Sequence, residues 1–310
     1  MKGHTAFLAI ISIAVILAAD SGGMQSIQAP GQQQEGPGYK FSVQSQLVEV
    51  YLTVTRGSQP VGNLQIADFE LLEDGVPVPL DRLDSQEVPL QIALLVDTSE
   101  SVQEALYTIQ DAAISFVESL NPEDRMMLAL FNSEIRMIPQ TSAEREPILK
   151  AIRGARARGM TRLYDALLQG MKYLDGKPGR KAIVCFTDGE DTAGTSSRFA
   201  VLDAAARSGY PIYAIGAGAG LGMSSLQMIL REFAEINSGK AFFIQNLKKL
   251  REAFRAVASE MRSAYVLNYY TRIPPDGSWH DIRIKIKDPS LTVHARKGFY
   301  ARNAAGVSAP

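Results

Sequence analysis

The 310-residue chain carries 32 basic and 33 acidic residues, a formal net charge of −1, with 46% hydrophobic and 21% charged residues. That balance excludes a disordered, charge-dominated chain, and the lack of any basic stripe excludes a nucleic-acid footprint. The length allows one large domain or two modest ones, and a single cysteine, Cys185, excludes an internal disulfide.

The chain opens with Lys2 and an apolar stretch over residues 6–19 that only Ser12 interrupts. At about 14 residues it has the length of a signal-peptide core and is short for a membrane span of about 20. Ala18, Ala19, Ser21, Gly22 and Gly23 supply the small residues that a signal peptidase prefers. Residues 1–20 therefore read as a signal peptide that exports the protein to the periplasm, the cell surface or the medium. The alternative is an uncleaved N-terminal anchor, the only membrane contact expected. No cysteine follows the apolar core, so lipoprotein anchoring is not expected. Residues 21–41, rich in Gly, Pro and Gln, lack periodicity and read as a disordered linker.

Alternation begins at Leu47. Val48, Val50, Leu52 and Val54 share one face against Glu49, Tyr51, Thr53 and Thr55, the pattern of a half-buried strand. Runs at 69–73 and 76–80 flank Asp74-Gly75, a hairpin signal, with Pro77 and Pro79 confining the second arm to an edge. Residues 42–90 are thus all β, and too few to bury much core alone.

From residue 91 strands alternate with helices. Residues 92–96 form an apolar run of strand length, and an amphipathic pattern through Val102, Ile109, Phe116 and Leu120 predicts a helix ending at Asn121-Pro122. Strands are expected at 126–131, 135–138, 182–187, 211–215 and 241–244. Helices are expected at 145–153, 162–174, 199–208, 225–236 and 247–261. Cys185 lies in one of the apolar runs and reads as a buried, inert thiol. This alternation implies an α/β fold, a doubly wound and mostly parallel sheet covered on both faces. The Gly216-x-Gly218-x-Gly220-x-Gly222 run does not match a dinucleotide fingerprint, because Leu221 occupies the third position, and reads as a loop.

After Arg262 the β character returns. Residues 265–270 are aromatic-rich, Ile282, Ile284 and Ile286 alternate with charges, and Leu291, Val293 and Ala295 continue to Phe299-Tyr300. Residues 263–301 are expected to pair with 42–90 in one small β-sandwich-like domain into which the α/β region is inserted, two separate β flanks being the alternative. Residues 302–310 read as a tail. Tyr269, Tyr270 and Trp279 read as packing of this β region.

Three loops carry the chemistry. Asp97-Thr98-Ser99-Glu100-Ser101 follows the strand at 92–96, Thr187-Asp188-Gly189 follows the strand at 182–187, and Gly159-Met160-Thr161 precedes the helix at 162–174. They converge at the carboxyl edge of the sheet, where open α/β folds bind ligands. Asp97, Ser99, Ser101, Thr161 and Asp188 offer only oxygen, which suits a hard cation such as Mg²⁺, with Mn²⁺ or Ca²⁺ as substitutes, where zinc would favour His or Cys. Helix capping is the rival explanation of Asp-x-Ser-x-Ser. Glu190 and Asp191 are either a solvated acidic loop or the rim of the site.

Asp97-x-Ser99-x-Ser101 with Thr161 and Asp188 resembles the metal-ion-dependent adhesion site of von Willebrand factor A (vWA) domains, over residues 91–262. The flanks resemble exported bacterial relatives of that family, through Asp68-Phe69-x-x-x-Glu73-Asp74-Gly75 and the ending Gly298-Phe299-Tyr300. The resemblance implies that Ser99 and Ser101 bind the metal directly, that Thr161 binds in the ligand-occupied state, and that Asp97 and Asp188 act largely through water. It implies a protein partner whose Glu or Asp carboxylate completes the metal's coordination. It also implies a last helix, at 247–261, that either shifts with the site or is locked by the β region behind it.

The implied function is adhesion or protein–protein interaction rather than catalysis. A structural or assembly module of an envelope complex, with a purely structural metal, is the alternative. A phosphohydrolase of the aspartyl-phosphate type is remote, since it would want a second Asp where Ser99 stands. Gly-x-Ser-x-Gly, Walker and His-Glu-x-x-His motifs are missing, and His280 and His294 lie far in sequence from Asp97.

Overall fold

A strand buried on both faces reads as a near-continuous apolar run, and the inner strands of the central sheet are such runs, with charged residues confined to their ends. The computed structural model describes residues 46–302 apart from 58, 86, 142–143 and 218–223. The segments expected to be a signal peptide (1–20), a linker (21–41) and a tail (from 303), and the glycine run beyond Ala217, lie outside the described residues. The first β region contains β1 (Gln46–Arg56), β2 (Gln59–Pro60), β3 (Phe69–Glu73), β4 (Val76–Val78) and β5 (Arg82–Asp84). The α/β region follows with β6 (Leu90–Asp97), α1 (Leu106–Ser119), β7 (Arg125–Phe131), β8 (Ile135–Pro139), α2 (Glu146–Arg153) and α3 (Leu163–Leu174). It continues through β9 (Arg180–Thr187), α4 (Arg198–Ser208), β10 (Ile212–Ala217), α5 (Ser224–Glu235), β11 (Lys240–Ile244) and α6 (Leu250–Ser263). The chain closes with β12 (Tyr265–Thr271), β13 (Trp279–Ile286), β14 (Thr292–Ala295) and β15 (Gly298–Tyr300).

The central sheet has the order β11-β10-β9-β6-β7-β8, parallel throughout except for β8, which pairs antiparallel with β7. Its strands divide their side chains between two cores. From β6, Leu90, Ile92, Leu94 and Val96 pack with α1, α2 and α6, whereas Ala93 and Leu95 pack with α3, α4 and α5. Helices thus cover both faces, the doubly wound arrangement expected from the alternation. Cys185 is buried in the second core, and burial pushes its thiol well above the usual range, so it is inert.

Two antiparallel sheets flank this body. One has the order β14-β1-β12-β5 with β2 on β1, and the other β15-β13-β3-β4. β1 pairs with β12 from Gln46↔Thr271 to Leu52↔Tyr265, and β3 pairs with β13 from Phe69↔Ile286 to Glu73↔Ile282. Each sheet therefore joins strands from before and after the α/β region, alternately in the first and through the β3–β13 pair in the second. Val48, Val50, Leu52 and Val54 meet Leu71, Leu267, Tyr269, Ile282 and Phe299 in a third core between them. The turn at Asp74 and Gly75 has positive φ at both residues (49° and 82°), as a two-residue hairpin requires.

Two differences from the sequence reading have physical causes. β1 is not half-buried at its centre, because Tyr51 is buried on the opposite face, against the α/β body. Its hydroxyl accepts from the Lys181 amide at 2.9 Å, its carbonyl accepts from Ser238 Oγ at 3.0 Å, and Glu49 pairs with buried Lys181 at 3.0 Å. The helix expected from Val102 begins instead as a 3₁₀ segment, Glu100–Ala105, and becomes α-helical at Leu106. Helix starts often tighten in this way.

The last helix ends one residue before β12, and a buried arginine holds that junction. Arg180, at the start of β9, donates to the carbonyls of Val88 (3.1 Å), Met261 (3.1 Å) and Ala264 (2.8 Å). Replacing it leaves three carbonyls without that donor in a low-dielectric setting. Arg180→Leu should lower the urea unfolding midpoint, with a loss of about 3 kcal/mol.

Candidate functional site

β6 and β9 are neighbours in the sheet, yet the helices that follow them pack on opposite faces. α1 leaves toward the first core and α4 toward the second, so the loops after the two strands diverge and open a crevice between them. Asp97 ends β6, Thr187 ends β9, and Asp188 follows directly.

Asp97 is fully buried, and its two carboxylate oxygens serve different loops. Oδ1 accepts from the Ser99 amide at 2.8 Å, and Oδ2 accepts from Thr187 Oγ1 at 2.7 Å. Thr187 Oγ1 in turn lies 3.0 Å from the Gly189 carbonyl oxygen. The hydroxyls of Ser99 and Ser101 are 2.9 Å apart, and Ser101 Oγ donates to Asp188 Oδ1 at 2.6 Å. Asp97, Ser99, Ser101 and Asp188 thus form one hydrogen-bonded chain across the two strand ends.

Thr161 joins them through its backbone. The Glu100 amide donates to the Gly159 carbonyl and the Arg158 amide to the Thr98 carbonyl, each at 2.9 Å, which staples the third loop to the first. The Thr161 amide donates to Thr192 Oγ1 at 2.9 Å, and its carbonyl accepts from the amides of Thr192 and Ala193. Among the described residues, no hydrogen bond links its side chain to the other four. Gly159 has φ +70°, and a Cβ there would lie 2.5 Å from Ser133 Oγ, so this turn requires glycine.

Burial dominates the electrostatics. It pushes the Asp97 carboxyl up to about 6, against the hydrogen bonds from Thr187 and Ser99 that favour the charged form. It also raises Asp188 above its ordinary value, against the Ser101 hydrogen bond. The Asp188 charge adds to the rise at Asp97. A cation beside them would relieve both, and the donor set of two carboxylates and three hydroxyls fits a hard divalent ion. Among the described residues, no three His, Cys, Asp or Glu side chains cluster as a metal site. Any site here must take hydroxyl oxygens as well as carboxylates.

Asp165 is a supporting residue that the sequence reading overlooked. It is buried on α3, pairs with Arg162 at 2.7 Å, and accepts from the amides of Thr195 and Ser196, both at 3.0 Å. It thereby fixes the segment after Asp188 against the helix that follows Thr161. Only its i,i+3 pairing with Arg162 is visible in sequence. Glu190 and Asp191 are not freely solvated: Glu190 accepts from Ser225 Oγ and Asp191 from the Gly194 amide at 3.0 Å, both being partly buried.

The von Willebrand factor type A domain model matches residues 91–256, more than half of the chain. The chain belongs to the vWA family. vWA domains are a non-catalytic adhesion and interaction fold that mediates protein–protein contacts, consistent with a protein that is not an enzyme. Among curated proteins it is 27% identical over 188 residues to the uncharacterized protein sll0103 of Synechocystis sp., covering 59% of this chain and 44% of that one. It is 25% identical over 192 residues to inter-alpha-trypsin inhibitor heavy chain H3 of Rattus norvegicus, covering 55% of this chain and 21% of that one. The chain spans less than half the length of these relatives.

Two solved structures share its fold. The von Willebrand factor type A protein from Catenulispora acidiphila superposes with a TM-score of 0.51 at 14% identity, covering 83% of this chain and 75% of that one. Proximal thread matrix protein 1 from the mussel byssus, whose MIDAS motif is occupied by zinc, superposes with a TM-score of 0.52 at 16% identity, covering 61% and 50%.

Asp165 generates a pH-dependent prediction. Its burial alone would raise its pKa, but hydrogen bonds from Ser196, Thr195 and Arg162 prevail and hold it at about 2, below the ordinary 3.8. The stabilisation is fully present above pH 4 and is lost as pH falls through about 2. Asp165→Asn should cost about 2 kcal/mol at pH 7, and urea midpoints of variant and wild type should converge toward pH 2.

Proposed function

We propose that this vWA domain binds a divalent cation, Mg²⁺ with Mn²⁺ or Ca²⁺ as substitutes, through Asp97, Ser99, Ser101, Thr161 and Asp188. The bound ion then takes an acidic residue of a protein partner. The observation that carries this reading is the bonded chain Asp97–Ser99–Ser101–Asp188, which places two burial-strained carboxylates beside two hydroxyls at a sheet-edge crevice. The mussel protein with the same fold holds zinc at its MIDAS motif, which supports metal binding at this place in the fold.

Ser99 and Ser101 supply neutral oxygens as direct ligands, and Thr161 a third on ligand engagement. Asp97 and Asp188 orient waters and balance charge. When bound, the ion supplies an electrophilic position for a partner carboxylate, because mainly neutral direct ligands leave its charge under-compensated. Buried Asp97 fixes the Ser99 amide and Thr187, so the loops are ordered before the ion arrives. We further assign residues 91–262 as the interaction domain, borne by the β segments 42–90 and 263–301. The N-terminal signal-like segment supports export, where such a domain meets other proteins.

Calorimetric titration of the full chain with Mg²⁺ tests the site: saturable binding in wild type, lost in Asp97→Ala, is expected. Unchanged binding in that variant would sink the assignment. Partner capture from extracellular proteins should need the divalent ion and be reversed by EDTA.

Asp97 also sets a stability signature. With an unfolded pKa of 3.8 and a folded value of about 6, the metal-free native state holds the extra proton between those limits. Metal-free stability therefore falls by about 3 kcal/mol as pH rises from 4 to above 6. Asp97→Asn should flatten that pH dependence and raise the metal-free melting temperature at pH 7. The same variant should abolish the stabilisation that Mg²⁺ gives wild type.

A further inference from the structure

At the opposite end of β9, where the flanking β sheet meets the α/β body, lies a second candidate site. A cavity of about 510 Å³, within the range of small-molecule pockets, is bounded by β1, the α4–β10 turn and the segment after β14. Five cations line it, Lys177, Lys181, Arg207, Arg296 and Arg302, against two carboxylates, Glu49 and Asp175.

Both carboxylates are already engaged. Glu49 is held by Lys181 Nζ at 3.0 and 3.2 Å, and Asp175 accepts from Tyr210 Oη at 3.0 Å. Arg207 pairs outside the cavity with Asp203 at 2.9 Å and lies over the Tyr300 ring.

Arg296 is the residue that stands out. It is 95% buried, at 5% exposure, and makes no ion pair or hydrogen bond among the described residues, with its Nε fully enclosed and unpaired. The guanidinium lies so close to Gly209 that a Cβ there would overlap it, and Gly209 itself has φ +72°. The glycine both ends α4 and makes room for the arginine. Burial pushes the guanidinium down to about 10, with Tyr269, Tyr51 and Glu49 acting on it only through space. A buried, unpaired arginine is costly, and natural proteins pair such groups with a planar oxyanion. Lys177 lies over the Tyr173 ring, and Arg302 is exposed, so both remain without a carboxylate partner among the described residues.

We propose that this junction cavity binds the oxyanion group of a small ligand, a carboxylate or a phosphate, with Arg296 as the buried anchor and Lys177 and Arg302 at the mouth. The site is separate from the metal-binding crevice. Lys181 and Asp188 sit at opposite ends of one strand, about 23 Å apart at the rise of an extended chain. The ligand would bridge β1, the segment after β14 and the α4–β10 turn.

The test is calorimetric titration of the full chain in EDTA, at constant ionic strength, with inorganic phosphate and with succinate, chloride serving as control. One-site saturable binding to at least one probe is expected, weakened about tenfold or more in Arg296→Met. Response to phosphate alone assigns a phosphate ligand, and to succinate alone a carboxylate. Arg302→Gln and Lys177→Gln, both at the cavity mouth, keep the test valid if Arg296→Met does not fold. Together they should weaken binding about threefold. No saturable response to either probe up to about 10 mM overturns the proposal. So does wild-type affinity in Arg296→Met, or in the paired mouth variant where Arg296→Met does not fold.

Discussion

The Asp97 carboxylate ties two strand ends together, and the geometry of the crevice depends on that tie. One oxygen holds the Ser99 amide and the other the Thr187 hydroxyl, so the loop after β6 and the loop after β9 share one buried acceptor. A charge so placed is expensive, and its carboxyl is pushed up to about 6. The protein accepts that cost at the point where the doubly wound topology opens a crevice. A cation bound there would restore the lost solvation of both Asp97 and Asp188. Strain of this kind is the usual sign that a site is organised for a ligand rather than for stability alone.

The support of the crevice is layered. The Gly159–Thr161 turn is bonded to the Asp97 loop through Glu100 and Arg158, and to the segment beyond Asp188 through Thr192 and Ala193. Asp165 then fixes that segment against α3. All three loops are therefore tied together through their backbone amides and carbonyls. At the other end of the domain, Arg180 clamps the end of α6 to the start of β9 while β12 continues from α6 into the flanking sheet. Any shift of the last helix must work against that clamp and against seven register pairs between β1 and β12.

What could be read from the sequence follows periodicity. Val48, Val50, Leu52 and Val54 alternate because one face of β1 meets the β core, and the runs at β6, β7 and β9 are continuous because both their faces are covered. Asp-x-Ser-x-Ser was legible because the loop follows such a run directly. The second face of β1 was not legible. Glu49 and Tyr51 look like solvent positions, and only the distant Lys181 and Ser238 make them interior. The short strands β2 and β5 carry two or three residues each, too few for a period to register. Asp165 resembles any helix-surface acid until residues 30 positions later fold onto it. Arg296 sits in a charged stretch, Arg296-Lys297, that reads as solvated. Its burial follows from docking against Gly209, which only tertiary structure supplies.

β9 connects these features. Its carboxyl end delivers Thr187 and Asp188 to a crevice short of positive charge, and its amino end delivers Arg180 and Lys181 to a junction short of negative charge. In a parallel sheet every strand presents its amino end to one edge and its carboxyl end to the other. Here the carboxyl edge carries the site loops, and the first flanking sheet attaches at the amino edge, where Glu49 and Tyr51 of β1 meet Lys181. Placing the β region at the amino edge keeps it at the end of β9 opposite the Asp188 crevice. It also forces polar strand ends to become interior, as Lys181 and Arg180 do. Lys181 resolves this with Glu49, and Arg180 with three carbonyls. Arg296, contributed from the far end of the chain, is the buried cation at this junction that no described residue neutralises. The same construction that frees one edge for binding thus creates, at the other, a cavity with its own unmet charge.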